Sequence, residues 1–581
     1  MSAAESGKFS LLGKWAPWLL IAVGALVYAN SLETPFVFDD LGAIVENKDI
    51  QHLWPLWLDA QTSDRPSLNS RPVVRFSLAL NYAFDGLDVQ GYHAVNIALH
   101  ILCALLLYGL VRRALAGMST ERAQNAVPLA LACALLWLVH PLHTQCINYV
   151  IQRSESLLGL FYLGTLYCAQ RGFLSPRPRP WYGMAILACA LGVSSKEIMV
   201  TAPLMVVAYD RIFHAASWRQ IWRWRRGLYL GLAATWSITA LLLSAAPHGD
   251  SVGFASGINA WTYALNQCVV LVDYLQKALW PHPLVLDYGF PQALELGAVW
   301  PQALLLVTLL ILVVLSLRYK PTIGFLGLWF FVILAPTSSF VPLVNEVGAE
   351  RRVYLSLAAL VVLLVLAGEW LARRWALLYF QGRPPAWRGL VVVALAVALG
   401  YGTVERNRDH QSTLSIWQTV VEAVPHNPRG HTYLGLALYD RGRIDEAVHH
   451  YRQALQLKSD YVDAHNNLAM ALGAQGRSAE AIRHYTRALQ LNPTLLEAHN
   501  NLGNALITTG QLDQAIAYFT RALQLKSDYA DAHNNLGIAL GLQGRIEEAV
   551  SHFRQALQLR PDFAAASANL AIALRPTPPT R

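Results

Sequence analysis

Two adjacent carboxylates, Asp39 and Asp40, close the run Thr34-Pro35-Phe36-Val37-Phe38 just after the first long apolar stretch of the chain. A carboxylate pair placed there is suited to holding a divalent cation or to taking a proton as a general base. Alone, an Asp-Asp step in a loop is ordinarily solvated surface. What singles this one out is the company it keeps: His140-Pro141-Leu142-His143, Gln152-Arg153-Ser154-Glu155, Lys196-Glu197 and Glu350-Arg351-Arg352 all border apolar stretches. Arg153 and Glu155 fall inside such a stretch, where each charge costs roughly 2.5 to 3.5 kcal/mol on insertion scales and must pair or face a wet cavity. An interhelical ion pair, or snorkelling to the interface, would explain any one of these groups. Together, carboxylates, imidazoles and cations from four segments at one membrane depth describe a site that holds an anionic phosphate while a carboxylate accepts a proton from an attacking hydroxyl.

The elements that must position them are membrane helices. The 581-residue chain is 54% apolar and only 14% charged, well below the charged fraction of ordinary soluble proteins. Apolar stretches near the length needed to cross a bilayer begin at about residues 15, 92, 127, 145, 181, 197, 227, 300, 322, 352 and 388, which gives about eleven spans. The net charge of +8 is gathered in clusters between them, as at Arg112-Arg113, Arg219 to Arg226 and Arg373 to Arg388. These mark cytoplasmic loops under the positive-inside rule and argue against a nucleic-acid footprint. With the N-terminus inside, loops 33–91, 140–145, 194–197 and 337–351 share the external side with everything after residue 410. The parity breaks if Trp261 to Leu279, which carries Asp273 and Lys277, crosses fully. Six scattered cysteines form neither a disulfide framework nor a zinc spacing. Val27-Tyr28-Ala29 has the form of a signal-peptidase site, but the many spans that follow fit an uncleaved first span.

From residue 411 the composition changes. Leu434, Leu468, Leu502, Leu536 and Leu570 recur every 34 residues, as do Gly442, Gly476, Gly510 and Gly544, and Ala447, Ala481, Ala515 and Ala549. This period is that of tetratricopeptide (TPR) helix pairs, each of which buries its apolar face only against its neighbours. The expected organisation is an all-α chain: a polytopic membrane domain over 1–410 with an external loop at 33–91, a TPR solenoid over 411–575, and a disordered tail at 576–581. Ile416 to Ala423 reads as the second helix of an earlier, incomplete unit. Asn467, Asn501, Asn535 and Asn569 repeat on the first helix of successive units, and an amide offers both a donor and an acceptor to a peptide backbone. Duplication alone would also copy idle residues. His465, His499 and His533, one unit apart, are too widely spaced to share a metal and take the place of an aromatic residue.

Phe36-Val37-Phe38-Asp39-Asp40 with Asn47, then Ser70-Arg71-Pro72, Asn81-Tyr82 and Gly91-Tyr92-His93-Ala94-Val95-Asn96, resemble the membrane portion of transmembrane-and-TPR-containing O-mannosyltransferases. His140-Pro141-Leu142-His143-Thr144 with Arg153, Lys196-Glu197, and Ala349-Glu350-Arg351 with Tyr354-Leu355 continue the resemblance in order, and the repeats complete it. That family is similar to the wider GT-C class, whose members take a sugar from a polyprenyl-phosphate carrier outside the cytoplasm. The resemblance implies a glycosyltransferase in which Asp39 or Asp40 is the base. Arg351, followed by Arg71, Arg153 and Lys196, would hold the carrier phosphate, with His93, His140, His143, Glu155, Glu197 and Glu350 lining the site. The Gln152-Arg153-Ser154-Glu155 run departs from the family's usual Gly-Arg-Ala-Asp-like run and leaves the role of Glu155 open. Some GT-C enzymes use a divalent cation, and here it would sit beside Asp39 and Asp40. The asparagine ladder resembles that of O-GlcNAc transferase, which implies that the solenoid takes a protein or peptide acceptor. Other partners are the donor lipid and the bilayer, with no nucleic acid. Two alternatives stand beside this reading: a non-catalytic TPR scaffold for secretion or polysaccharide export, and an oligosaccharide ligase with a diphosphate-linked donor. Compact loops and a short N-terminus point to a bacterial inner membrane with the solenoid in the periplasm.

Overall fold

The computed structural model of the chain describes residues 3–54, 68, 70–118, 120–215, 217–245, 259–339, 343, 346–379 and 387–575, with side chains for all of these except 3–10, 120, 121 and 245. The expected tail at 576–581 and parts of loops 33–91 and 337–351 lie outside them. Every regular element among the described residues is helical, and the chain divides into two compact units, Met1–Ile416 and Trp417–Arg581.

Among the described residues of the first unit, four helices are long and apolar enough to cross a membrane: Val89–Ala116, Trp218–Ser244, Leu296–Tyr319 and Trp387–Asp409. A fifth span results if Ala126–Leu138 and Pro141–Asn148, bent by 53°, are taken as one. Leu296–Tyr319 is only 11% buried over its most apolar window, an apolar surface of a kind that soluble proteins do not expose and lipid covers. By contrast, Val89–Ala116 is largely packed inside the unit and forms its axis. Small residues let its neighbours close on it, since Cys103, Ala104, Ala130 and Ala134 are fully buried where it meets Ala126–Leu138. Ala260–Leu279 is helical but is not among the candidate spans. Its Asp273 and Lys277 pair at 3.0 Å, one turn apart. The stretch expected to begin a span at 145 is broken into turns up to Arg153, where the helix Arg153–Leu174 starts. A buried amide chain joins the first and last long helices of the unit: Asn407 Nδ2 donates to Asn30 Oδ1 at 2.8 Å, and Asn148 Nδ2 donates to Asn407 Oδ1 at 2.8 Å.

The second unit is a stack of helix pairs from Pro428–Tyr439 to Ala564–Ala573. Gly442, Gly476, Gly510 and Gly544 turn each pair at φ between 75° and 86°, a left-handed conformation that other residues adopt at a cost. The aromatic of each second helix is buried between the two, as Tyr451 and Phe519 are. Trp417 stacks on Tyr433 at 4.7 Å, which sets the start of this unit against its first helix pair.

Within each pair, a histidine of the first helix meets a second-helix ring. Nδ1 faces Nδ1 at 3.1 Å in His431–His450 and at 3.0 Å in His465–His484 and His533–His552, while His499 meets Tyr518 instead. Nε2 of His431, His465 and His533 donates to the carbonyls of Pro425, Ser459 and Ser527. Each first-helix imidazole is therefore protonated on Nε2 and must accept at Nδ1 from its partner, an arrangement that holds only while the pair shares one Nδ1 proton. Burial, reinforced by the facing His431, lowers His450 to about 4, and burial also lowers His431, His465, His484 and His552. A histidine whose folded pKa lies below its unfolded value of about 6.5 gives its full contribution above that value and loses it as pH falls toward the folded pKa. The expected outcome is that hydrogen-exchange protection of helices 428–573 in the full-length protein declines between about pH 6.5 and 4. His484→Tyr, which copies the His499–Tyr518 arrangement, should make the second repeat less sensitive to pH than the first and fourth. Equal sensitivity in wild type and variant would contradict the role of the pairs.

Candidate functional site

Phe38 sits at φ 53°, the one non-glycine residue at positive φ among the described residues, and backbone strain of this kind costs about 1 to 3 kcal/mol unless the surroundings impose it. It parts the two carboxylates that follow. Asp39 is exposed, whereas Asp40 is fully buried. Asp40 Oδ2 accepts from the backbone N–H of Val37 at 3.3 Å and Val150 at 3.1 Å, and its Oδ1 accepts from Ile151 N–H at 2.7 Å. Burial pushes the Asp40 carboxyl up to about 7, although those three N–H groups and their dipoles favour its charged form. Asp40 thus staples the first loop to the turn at 149–152 and fixes the backbone of Asp39, whose N–H donates to Tyr149 Oη at 3.2 Å.

The cations come from the late loop and from the 194–197 turn. Gln145 Oε1 accepts from Arg351 N–H at 2.9 Å, and the Gln145 amide donates to Leu286 O at 2.9 Å, so one side chain positions Arg351 against a neighbouring loop. The Arg351 guanidinium donates to both oxygens of Glu346, at 2.7 and 2.6 Å. Burial alone would lower the Arg351 pKa, but Glu346, followed by Tyr149 and Glu155, holds it above its ordinary value, so it remains a cation. Lys196 bonds to Glu155 and is almost fully buried with it. Burial draws the Lys196 ammonium down from its ordinary value against the pull of Glu155, with Arg71 and Arg351 adding to the fall. Arg71 pairs with Glu197 at 3.2 Å, and Val73 N–H donates to Ser194 O at 3.2 Å, which ties the first loop to this turn. Burial alone would raise Glu197, but Arg71 and Lys196 hold it below its usual range.

These contacts make one connected set. Tyr149 lies within electrostatic reach of Asp39, Asp40 and Arg351, and Lys196 within reach of Glu155, Arg71 and Arg351. Asp39 and Asp40 are thus linked through Tyr149 to Arg351, and Arg351 through Glu155 and Lys196 to Arg71 and Glu197. Asp39 is exposed, and Arg71 and Glu197 are each about one-third exposed.

The remaining residues lie behind this set. Arg153 is fully buried in a cage of acceptors, donating to Asn96 Oδ1, Asn81 Oδ1 and the carbonyls of Ser77 and Tyr92 at 2.6 to 2.9 Å. The ring nitrogens of His93 face the carbonyls of Ile147 at 3.1 Å and Thr34 at 2.8 Å. His140 Nε2 meets Ala278 O at 3.2 Å, and His143 is wedged among Trp137, Tyr354 and His100 at ring distances of 4.5 to 5.0 Å. Glu350 accepts from Val285 N–H, and burial pushes its carboxyl up to about 7 despite the nearby Arg406 and Lys277. Among the described residues no group of three or more His, Cys, Asp or Glu could hold a metal ion, and both Asp40 oxygens are engaged by backbone N–H.

In the solenoid, Asn467, Asn501, Asn535 and Asn569 are all half-buried. Asn569 Nδ2 donates to Asn534 Oδ1 at 2.9 Å and Asn535 Nδ2 to Asn500 Oδ1 at 3.0 Å, so the ladder is bonded from repeat to repeat. Tyr149, Gln145 and Glu346 had no place in the sequence-based site. Glu346 carried one signal, an acidic residue five positions before Arg351. A tyrosine and a glutamine within apolar surroundings carried none.

Two family models match the solenoid: "TPR repeat" over residues 435–476, and "Tetratricopeptide repeat" over 460–527 and again over 494–562. The crystal structure of MamA matches with 24% identity and a TM-score of 0.25, covering 28% of this chain and 95% of that one. Protein O-mannosyl-transferase TMTC4 of Mus musculus is 26% identical over 497 residues, covering 75% of this chain and 66% of its own length. Protein O-mannosyl-transferase Tmtc3 of Drosophila melanogaster is 25% identical over 532 residues, covering 77% and 56%. The chain thus spans a little over half to about two-thirds of these relatives. Both come from animals and lend no support to a bacterial envelope. A match over three-quarters of the chain is longer than the membrane unit and must run into the repeats. The chain is a homologue of the transmembrane-and-TPR-containing protein O-mannosyl-transferases.

Proposed function

We propose that the chain is a membrane glycosyltransferase of the GT-C type that moves a sugar, with inversion, from a polyprenyl-phosphate carrier to Ser or Thr hydroxyls of a protein on the non-cytoplasmic side. The observation that carries this reading is the division of labour between the two carboxylates: Asp40 is spent on backbone N–H groups, and Asp39 is left exposed beside Tyr149 and the cations. Asp39 accepts the acceptor hydroxyl's proton as that oxygen bonds to the anomeric carbon. The bond from that carbon to the carrier phosphate breaks, and the phosphate leaves with the electron pair, stabilised by Arg351, with Lys196 and Arg71 beside it. Glu346 holds Arg351 in place until the phosphate arrives. Arg153 belongs to the frame, because its donors are directed to protein acceptors. A divalent cation would find Asp39 but no free oxygen on Asp40, and no step here is routed through one.

The same reading supplies the topology: about eleven spans with the N-terminus in the cytoplasm, which puts the first and late loops and the solenoid on the external face, be it lumen or periplasm. The domain limits follow, with the transferase over 1–410 and the acceptor-recruiting solenoid over 411–575. Asn467, Asn501, Asn535 and Asn569 read the acceptor backbone with the amide valences left over from their contacts within the ladder. A scaffold would need neither the strained Phe38 nor an exposed Asp39.

Two outcomes test the assignment. Asp39→Asn should lower glycan transfer about 10²- to 10⁴-fold, the usual worth of a general base, with folding unchanged. Intact masses of candidate acceptor proteins from cells carrying wild-type or variant genes would measure it, and an unchanged glycan mass would overturn the proposal. Asp40→Asn should instead destabilise the protein by about 1 to 3 kcal/mol, because its amide would turn N–H toward N–H. Arg351→Gln should lower transfer about 10²- to 10³-fold, whereas a scaffold would show no effect.

A further inference from the structure

A cavity of about 1120 Å³ opens in the membrane unit between Ala3–Val27, Ala126–Leu138, Leu357–Tyr379 and Trp387–Asp409. Its walls are apolar, with Leu19, Leu135, Leu364 and Leu395 among them, and its volume exceeds the ~300 to 1,000 Å³ of ordinary small-molecule pockets. Along the last of these helices the lining runs from Trp387 to Leu399, about 18 Å at 1.5 Å per residue. That is a little more than half of the ~30 Å hydrocarbon layer, the depth of one leaflet.

The two ends differ. At one, Glu369 accepts from Arg373 at 2.7 Å and from Arg388 at 2.9 Å, so two guanidinium groups share one carboxylate and leave a net positive charge beside Trp375 and Trp387. Arg388 and Arg373 remain about one-third and one-quarter exposed. The other end closes on Ala278 and His140, the residue that opens the His-Pro-Leu-His turn. The cationic end belongs to the basic cluster that the positive-inside rule assigns to the cytoplasm, opposite the face that carries Asp39 and Arg351. A sugar carrier reacting at that face would enter phosphate-first from the wrong end.

We propose that this cavity seats one anionic phospholipid of the cytoplasmic leaflet, its acyl chains filling the apolar walls and its phosphate resting on Arg388, the cation that lines the cavity. Basic pockets between membrane helices on the cytoplasmic side suit anionic headgroups, and one leaflet of depth suits acyl chains. The orientation rests on the topology under the proposed function, but the readout below is lipid retention, which does not depend on transferase activity.

The test is native mass spectrometry of the full-length protein exchanged into nanodiscs of equal parts phosphatidylglycerol and phosphatidylcholine. Wild type should release carrying one phosphatidylglycerol in preference to phosphatidylcholine. Arg388→Gln should weaken that preference about fivefold. A Cβ at Gly368, which lines the cavity, meets nothing within 4 Å, so Gly368→Leu should lower retention of either lipid without disturbing the fold. Asp39→Asn should retain lipid as wild type does even if transfer is lost, which separates failure of this inference from failure of the transferase reading. Equal retention of the two lipids by wild type, wild-type preference in Arg388→Gln, or displacement of the bound lipid by polyprenyl phosphate would each overturn it.

Discussion

Charge taken out of water must be neutralised where it stands, and in this protein that requirement shapes the membrane unit. Arg153 is fully buried and is met by four acceptors from two helices, Pro72–Asp85 and Val89–Ala116. Lys196 and Glu155 neutralise each other, and Asp40 draws three backbone N–H groups onto itself. Apart from the local bond from Val37 to Asp40, these pairings join parts of the chain that are far apart in sequence. Breaking one leaves an uncompensated charge, a penalty of several kcal/mol. The network therefore fixes the geometry in a region where apolar packing against lipid gives little directional preference.

Within that frame the exposed groups become useful. Asp40 supplies rigidity, and under the proposed function Asp39 supplies the base, the turn at Phe38 holding the two apart. A general base and a phosphate-binding cation work only if held at fixed separation before the substrate arrives. Tyr149, between Asp39 and Arg351, is the side chain around which that separation is set. The salt bridge between Arg351 and Glu346 is the kind of contact a substrate phosphate replaces.

The solenoid was legible in the sequence because its physics is local: a 34-residue period of small, aromatic and glycine positions specifies one helix pair at a time. The convergence around Asp39, Arg71, Lys196 and Arg351 was also visible, since charge at the edge of an apolar stretch is improbable without a partner. What the sequence hid was division of labour. Asp39 and Asp40 look alike until a positive φ at Phe38 parts them, and Arg153 resembles a phosphate ligand until Asn81 and Asn96 close on it. The long helix expected from about 145 starts only at Arg153, because the buried turns between Pro141 and Gln152 carry polar residues that hydropathy cannot separate from a helix. Among the described residues four or five helices meet the length and composition of a span, and the other apolar stretches include long helices, such as Arg153–Leu174 and Leu357–Tyr379, that carry charged residues.

The most direct measurement is photo-crosslinking of the full-length protein with a polyprenyl-phosphate sugar bearing a diazirine on the sugar, followed by peptide mapping. If one pocket joins the first loop to the late loop, adducts will fall on the segments around 39 and 149 and on those around 196 and 351, and unlabelled donor will suppress them together. Adducts confined to lipid-facing stretches such as Leu296–Tyr319, or found on only one of the two loops, would show that the acids and cations do not serve a common substrate.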